Sequence, residues 1–319
     1  MTTDSEQQPW QWPEDVWRPI VEEVRAGTSL TPDAWPDGKK VAVAISFDSD
    51  HETPILRDAM QTPGTLSGGE YGSRVAVPRI LTLLNKYDVP ASFFVPAVSA
   101  LLHPEDIRGY VDNNHEIAVH GWIHERNTLL GHADERELTL RSLDTLEKMS
   151  GTRPVGIRTP SWDFSPSTLT VIRELGFLYD SSLMADDDPY EIVSAGDATG
   201  IVELPVEWIR DDAPYFGMSR YAGLRPYTAP AAVLDIWKRE FDTALAEGGM
   251  FQLTMHPSII GHRSRLWILD ELIEYMASSG SAWFATHEQI ARFVHPLIGS
   301  TPTNTVGSPT IATESGSVV

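Results

Sequence analysis

The chain has 319 residues, of which 41% are hydrophobic, and its 45 acidic and 24 basic side chains give a net charge of -21. This length and apolar content can bury one large core, while so negative a surface makes nucleic acid and anionic lipid poor partners. Because there is no cysteine, disulfides and thiolate ligands are excluded, and any metal must be held by His, Asp or Glu. The N-terminus lacks a basic and apolar signal segment, and no apolar run approaches the ~20 residues of a membrane span. We therefore expect a cytoplasmic protein.

Residues 1–40 are rich in Trp and Pro and predict an N-terminal arm with a short helix at about 14–26. Such an arm must cover its aromatic side chains on the domain or on a neighbouring subunit. It is compatible with the homo-oligomer that we expect. The main domain is predicted over residues 41–298. Residues 299–319 are of low complexity and predict a flexible tail.

Apolar strands and amphipathic helices alternate seven or eight times through the main domain. Strands are predicted at 41–47, 91–96, 116–120, 155–158, 177–181, 201–205, 250–256 and 282–286, and helices at 77–87, 104–113, 133–149, 165–175 (capped by Ser165), 229–248 and 265–278. The Gly-rich stretch from Thr62 to Gly72 predicts a long loop. This alternation predicts a single-domain α/β protein whose parallel sheet is either closed into a (β/α) barrel or doubly wound, and we favour the barrel.

Ionisable side chains follow several of the predicted strands. Since the carboxyl ends of the strands of a barrel build one rim, we expect these side chains to lie together: Asp48, Asp50, His120, His124, Arg158 and His256.

The two histidines four residues apart, His120 and His124, are predicted to lie on one face of a helical turn that follows a strand. Two imidazoles and one carboxylate make a catalytic metal site with an open position for water. A bare H-x3-H pair is often ordinary, but Asp48-Ser49-Asp50 supplies two carboxylates on a neighbouring strand, one to bind metal and one to accept a proton. The other seven histidines lack such a context, although His262 is close enough to His256 in sequence to contact a substrate.

Together these segments resemble the polysaccharide deacetylase superfamily (NodB-homology, carbohydrate esterase family 4). The resemblance covers roughly residues 40–295. Within the superfamily, the chain looks most similar to the branch that contains the Helicobacter-type peptidoglycan deacetylase, the allantoinase-like proteins and the cyclic imide hydrolases. The motifs that carry it are Ser46-Phe-Asp-Ser-Asp50, Gly72-Ser-Arg74, His120-Gly-Trp-Ile-His-Glu125, Arg158-Thr-Pro-Ser-Trp-Asp-Phe-Ser165 and His256-Pro-Ser-Ile-Ile-Gly-His-Arg-Ser-Arg265.

The resemblance implies a distorted (β/α)7 barrel and one divalent metal, usually Zn2+. It implies Asp50, His120 and His124 as metal ligands, Asp48 as general base, Arg158 as the residue that holds the base, and His256 as general acid. Trp162, with Pro160, Trp122 and Tyr71, is expected to line the substrate pocket. The family's further Asp motif, which tunes the acid histidine, has no clear counterpart, and Asp180 and Asp186 to Asp188 are the candidates.

These features predict a metal-dependent hydrolase of a carbon–nitrogen bond other than a peptide bond, in which metal polarises the carbonyl, Asp48 takes a proton from water and His256 protonates the leaving nitrogen. The acidity and expected cytoplasmic location favour a small substrate such as a cyclic imide or ureide over an anionic wall polymer. An N-deacetylase of an acetylated amino sugar or peptidoglycan is the alternative. A non-catalytic binding protein and a sugar-isomerase-like barrel are further alternatives; the intact polar set argues against the first, and the scarcity of Glu and Asp ligands argues against the second.

Overall fold

A computed structural model describes residues 8–217 and 227–299 of the chain. The predicted tail therefore lies outside the described residues, apart from Gly299. Among the described residues, no helix is both long and apolar enough to cross a membrane.

Ten strands form one strongly curled sheet. They are β1 Arg25–Ser29, β2 Val41–Asp48, β3 Ser92–Val95, β4 Glu116–Val119, β5 Gly156–Ile157, β6 Tyr179–Asp180, β7 Tyr190–Ser194, β8 Asp197–Glu203, β9 Met250–Met255 and β10 Ala282–Phe284. The order runs β1-β7-β8-β6-β5-β4-β3-β2, and β9 pairs with the other edge of β2. All pairings are parallel except β1 with β7 and β7 with β8, and β10 pairs with the start of β2. The predicted barrel of the NodB type is confirmed.

α-Helices precede, separate and follow the strands along the chain. They are α1 Glu14–Glu22, α2 Thr53–Arg57, α3 Pro63–Tyr71, α4 Val77–Tyr87, α5 Ala97–Leu102, α6 Pro104–Asp112, α7 His132–Ser150, α8 Thr168–Glu174, α9 Ala213–Phe216, α10 Pro230–Glu247, α11 Pro257–Ile260, α12 Leu266–Ser278 and α13 His287–Val294.

The alternation of side chains along each strand decides which residues point into the barrel. In β2, Val43, Ile45 and Phe47 join the core beneath the helices, while Ala42 and Ala44 join a second core with Phe94 of β3, Ala118 of β4 and Tyr179 of β6. Residues of the same parity as Ala42 therefore face inward, which includes Ser46 and Asp48 at the end of the strand. The same alternation brings His120, Arg158 and His256 to the inner face just beyond β4, β5 and β9.

The predicted loop from Thr62 to Gly72 is wrong, because this segment forms α3 and a π-helical turn, Gly72–Ala76. Pro63 occupies the first helical turn, where its missing N–H costs no hydrogen bond. Two of the glycines serve close packing: a Cβ on Gly69 would lie 2.4 Å from the backbone of His51, and a Cβ on Gly72 would lie 2.5 Å from Nδ1 of His51. Composition was misleading here because glycines needed for contact look the same as glycines needed for flexibility.

Other differences lie at element ends. The N-terminal helix stops at Glu22 and is followed by β1, and strand β7 was not predicted. Helix α8 begins at Thr168, because Ser165 uses its hydroxyl in a turn that accepts the N–H of Ser167 and donates to Glu135.

Candidate metal centre and active site

The segment that joins β4 to α7 carries both motif histidines, and it is not a helical turn. His120 directly follows β4, Gly121 and His124 have φ of 74° and 63°, and the chain turns tightly between them. The carboxylate of Glu125 accepts the backbone N–H groups of Trp122 and Ile123 at 2.8–2.9 Å. The predicted helical turn is therefore wrong, although the predicted convergence of the two imidazoles is observed.

Asp50, His120 and His124 form a compact cluster at the carboxyl end of the barrel. Nε2 of His120 lies 3.4 Å from Oδ1 of Asp50, and Nε2 of His124 lies 3.4 Å from Oδ2. Oδ1 of Asp50 is buried and has no hydrogen-bond partner among the described residues, as expected for an oxygen that needs a cation. One carboxylate and two imidazoles suit a catalytic divalent metal.

The protonation of these side chains also fits a metal site. Burial raises the pKa of Asp50, but the imidazoles of His124, His120 and His256 outweigh burial and hold that pKa below its ordinary value. Burial lowers the pKa of His120, against the opposing effects of Asp48 and Asp50. The backbone carbonyl of Arg158 accepts a hydrogen bond of 2.7 Å from Nδ1 of His120, which leaves the lone pair of Nε2 facing the carboxylates.

Arg57 makes an additional contact to this cluster. Its Nη1 lies 2.9 Å from Nδ1 of His124, and a guanidinium can only donate, so Nδ1 is the acceptor. Metal coordination through Nε2 requires the proton on Nδ1, so Arg57 must then turn to another acceptor. The carbonyl of His124 and the hydroxyl of Ser161 each lie 3.4 Å from Nη1.

Asp48 lies beside the cluster and is held by Arg158. Nη1 of Arg158 donates to Oδ1 of Asp48 at 2.6 Å, and both side chains are almost fully buried. Oδ2 of Asp48 is 3.6 Å from Nε2 of His120. The second carboxylate oxygen therefore faces the candidate metal position.

His256 flanks the cluster from β9, with its Nε2 3.8 Å from Oδ2 of Asp50. Its Nδ1 is 2.7 Å from Oδ1 of Asp212 and 3.8 Å from Asp211. Burial lowers the pKa of His256, but Asp211 and Asp212 outweigh burial and hold that pKa well above its usual value. Burial in turn raises the pKa of Asp211 to about 7 and also raises the pKa of Asp212. The imidazole is thus set up to carry a proton at neutral pH.

Comparisons with known proteins show which family the chain belongs to. The polysaccharide deacetylase family matches residues 38–179. A crystal structure from Mycobacterium smegmatis, named as a candidate polysaccharide deacetylase, is 38% identical, covers 88% of this chain and 99% of its own, and superposes with a TM-score of 0.78. The chain belongs to the polysaccharide deacetylase family.

Two further relatives differ in the activity that their names state. The peptidoglycan deacetylase of Helicobacter pylori is 27% identical over 79% of this chain and 96% of its own length. The structure of PuuE allantoinase is also 27% identical, with a TM-score of 0.72 over 86% of this chain and 95% of that one. Membership of this family makes the chain a hydrolase of carbon–nitrogen bonds, and carbohydrate esterase family 4 deacetylases use a divalent metal.

The structure also identifies the carboxylate that pairs with His256, which sequence reasoning missed. Asp212 accepts hydrogen bonds from both Nδ1 and the backbone N–H of His256. The candidates Asp180 and Asp186 to Asp188 are wrong, since Asp180 bonds to Ser182, Asp186 accepts from the backbone of its own loop, and Asp188 accepts the N–H of Met250. The only signal in the sequence was an Asp-Asp pair placed shortly after a strand.

The four predicted pocket residues are distributed around the rim of this deacetylase-family barrel. Trp162 is buried and packs against Trp208, with ring centroids 3.9 Å apart and ring planes tilted by 31°. Pro160 packs against the turn after β4, because a Cβ on Gly121 would lie 2.7 Å from its Cγ.

The remaining two have other contacts. The Trp122 ring lies under the guanidinium of Arg141. Tyr71 stacks on His262 at 4.2 Å and accepts a hydrogen bond from Arg79. The Tyr71–His262 pair thus packs the end of α3 against the segment after α11. Substrate contact by these four residues stays a prediction.

Proposed function

We propose that this protein is a metal-dependent amide hydrolase in which Asp48 is the general base and His256 the general acid. The observation that carries the proposal is that these two groups flank one buried ligand set, 3.6 Å from His120 on one side and 3.8 Å from Asp50 on the other. A pair of proton-handling groups in opposite protonation states is what hydrolysis of a carbon–nitrogen bond needs.

A divalent ion on Asp50, His120 and His124, which we propose to be Zn2+, would polarise the substrate carbonyl and acidify water. Asp48 would accept the proton of the attacking water at Oδ2, since Oδ1 is occupied by Arg158. His256 would deliver its proton from Nε2 to the leaving nitrogen while Asp212 holds Nδ1.

We further propose a small cytoplasmic substrate with a non-peptide carbon–nitrogen bond, such as a cyclic imide or a ureide. The net charge of -21 supports this choice, because it disfavours approach to an anionic wall polymer. The similarity to PuuE allantoinase, a protein named for a ureide substrate, also supports it.

N-deacetylation of an acetylated amino sugar or of peptidoglycan is the second candidate. The relationship to the peptidoglycan deacetylase of Helicobacter pylori favours it. Both reactions use the same bond chemistry, so the proposed roles of Asp48 and His256 are common to the two.

The deciding experiment is hydrolysis of a simple cyclic imide by zinc-loaded protein, followed as loss of imide absorbance, alongside acetate release from N-acetylglucosamine oligomers. Imide turnover that chelator abolishes and zinc restores is expected. Acetate release without imide turnover would instead support the second candidate, and metal-loaded protein that performs neither reaction would contradict both.

A further inference from the structure

The guanidinium of Arg158 has an acceptor for each of its five N–H groups. Nε donates to the carbonyl of Ser181 at 3.0 Å, and Nη1 donates to Asp48 at 2.6 Å and to Ser46 at 3.1 Å. Nη2 donates to the hydroxyl of Ser181 at 3.0 Å and to Nε2 of His287 at 3.4 Å. His287 therefore supplies the last acceptor of a fully buried cation.

The contacts of His287 fix which ring nitrogen carries the proton. Since Arg158 cannot accept a hydrogen bond, Nε2 must be unprotonated and the proton must lie on Nδ1. Nδ1 is 3.0 Å from the hydroxyl oxygen of Ser92, whose own proton goes to Glu116 at 2.7 Å. The hydroxyl oxygen of Ser92 is thus free to accept hydrogen bonds from both Nδ1–H and the backbone N–H of His287. Each hydrogen in this chain of contacts therefore has a single acceptor.

The surroundings also keep the ring uncharged. His287 is fully buried, and its ring packs edge-on against Phe94, over which Arg158 is stacked at 3.9 Å. Burial and the nearby charge of Arg158 hold the pKa of His287 well below its usual value.

A neutral acceptor differs in its effect from an acidic one. A carboxylate in place of His287 would form a second ion pair with Arg158 and would compete with Asp48 for its charge. An imidazole with a lone pair on Nε2 accepts the hydrogen bond of Nη2 and leaves Asp48 as the only carboxylate in the described part of the chain that is paired with the guanidinium.

We propose that His287 is a positioning residue that, as a neutral Nδ1–H imidazole, aims Arg158 at Asp48 without sharing its charge. The inference deepens the proposed function, since it depends on Asp48 as the base. Through Arg158, His287 at the start of α13 is linked to Asp48 at the end of β2.

The first test does not involve catalysis. In protein labelled with 15N-histidine, long-range 1H–15N correlation spectra distinguish Nδ1–H, Nε2–H and doubly protonated rings, with the His287→Gln spectrum assigning the signal. A neutral Nδ1–H ring across pH 6 to 8 is expected. An Nε2–H ring or an imidazolium would overturn the proposal, whatever the protein hydrolyses.

The second test compares variants of the full chain on whichever substrate, imide or N-acetyl sugar, the wild-type protein hydrolyses. His287→Gln keeps a neutral acceptor toward Arg158 and a donor toward Ser92, so we expect kcat within a few-fold of wild type. His287→Leu removes the acceptor, and we expect kcat to fall by roughly tenfold or more while KM and zinc affinity stay within about twofold.

A wild-type kcat in His287→Leu, or equal losses of kcat and zinc affinity in both variants, would show a structural role only. These outcomes differ from failure of the proposed function, in which wild-type protein has no turnover at all while the tautomer measurement still decides the state of His287.

Discussion

Asp48 and Asp50 lie two residues apart and both lie near His120, yet their other partners differ. Asp48 is bound by the guanidinium of Arg158, whereas Asp50 faces three imidazoles and leaves one oxygen without a partner. Arginine suits a carboxylate that must accept a proton, and imidazoles suit one that shares a metal.

Replacement of the proposed base separates these roles. Asp48→Asn is expected to lower kcat by about 100-fold to 10,000-fold, because the amide cannot accept the proton, while zinc binding is retained. Zinc content by atomic absorption and turnover are measured on the same sample. Loss of zinc in this variant would show instead that Asp48 is a ligand.

Removal of a proposed ligand has the opposite signature. His124→Ala is expected to weaken zinc binding by at least about 100-fold, because two ligands remain. Competition with a chromogenic chelator measures the affinity, and His262→Ala is the matched control because it removes a histidine outside the cluster. Unchanged zinc affinity in His124→Ala would eliminate the proposed metal site.

The pair of Asp212 and His256 predicts a pH effect of defined sign. Carboxylates raise the pKa of His256, so the acid form persists to higher pH than in a free histidine. Asp212→Asn removes one of them, and the alkaline limb of the kcat/KM profile should move to lower pH, with about a tenfold loss at high pH for each unit of pKa. A profile that keeps its alkaline limb would show that Asp212 does not tune His256.

At the level of elements, the parallel pair of β6 and β8 places two carboxyl groups opposite each other. Asp180 and Glu203 are register partners in a fully buried site, and Oε2 of Glu203 has no hydrogen-bond partner among the described residues. Burial raises the pKa of Asp180 to about 6 and raises that of Glu203 well above its ordinary value. We therefore predict that the two groups share one proton near pH 6, which neither would hold in the unfolded chain.

This sharing predicts how stability changes with pH. Because the folded-state pKa values are raised, the contribution is present below about pH 4 and is lost as pH rises through 6 and above. In Glu203→Gln the amide N–H can donate to Asp180 in place of the shared proton, so the free energy of unfolding should fall less between pH 5 and 7.5. Urea denaturation at pH 5 and at pH 7.5 measures the free energy of unfolding, with Glu191→Gln on β7 as the control. Parallel pH slopes in wild type and Glu203→Gln would disprove a shared proton.

At the scale of the whole molecule, the N-terminal arm leaves apolar surface exposed. None of the nine residues of α1 is buried by the described part of the chain, and its apolar side chains are Val16, Trp17, Ile20 and Val21, each more than 40% exposed. Trp10 before it is 80% exposed. The rest of the arm is held to the domain by the pairing of β1 with β7 and by the buried side chain of Trp35, so we propose that α1 itself packs against another copy of the chain.

The double change Trp17→Glu with Ile20→Glu should reduce the molar mass measured by light scattering after size exclusion, because charges replace the apolar face. Asp15→Asn lies on the polar face of the same helix and should leave the mass unchanged. A wild-type protein that is already monomeric at micromolar concentration would refute the proposal.

The sequence by itself determined the features that repeat locally. Alternation of side chains along β2 fixed that Asp48 shares the inner face with Ala42 and Ala44, and apolar periodicity predicted α4 with its observed bounds, Val77–Tyr87. The motif histidines and Asp50 were predicted to converge because each directly follows a strand, and parallel strands end at one rim.

Tertiary structure decided the partners that act through space. Asp212 is 44 residues from His256, and His287 is 129 residues from Arg158, so no local pattern connects either pair. The turn between His120 and His124 depends on the carboxylate of Glu125 and on packing against Pro160, not on helical spacing. The pattern of a strand indicates which face of the sheet a side chain lies on, whereas sheet order and loop packing determine which neighbour it contacts there.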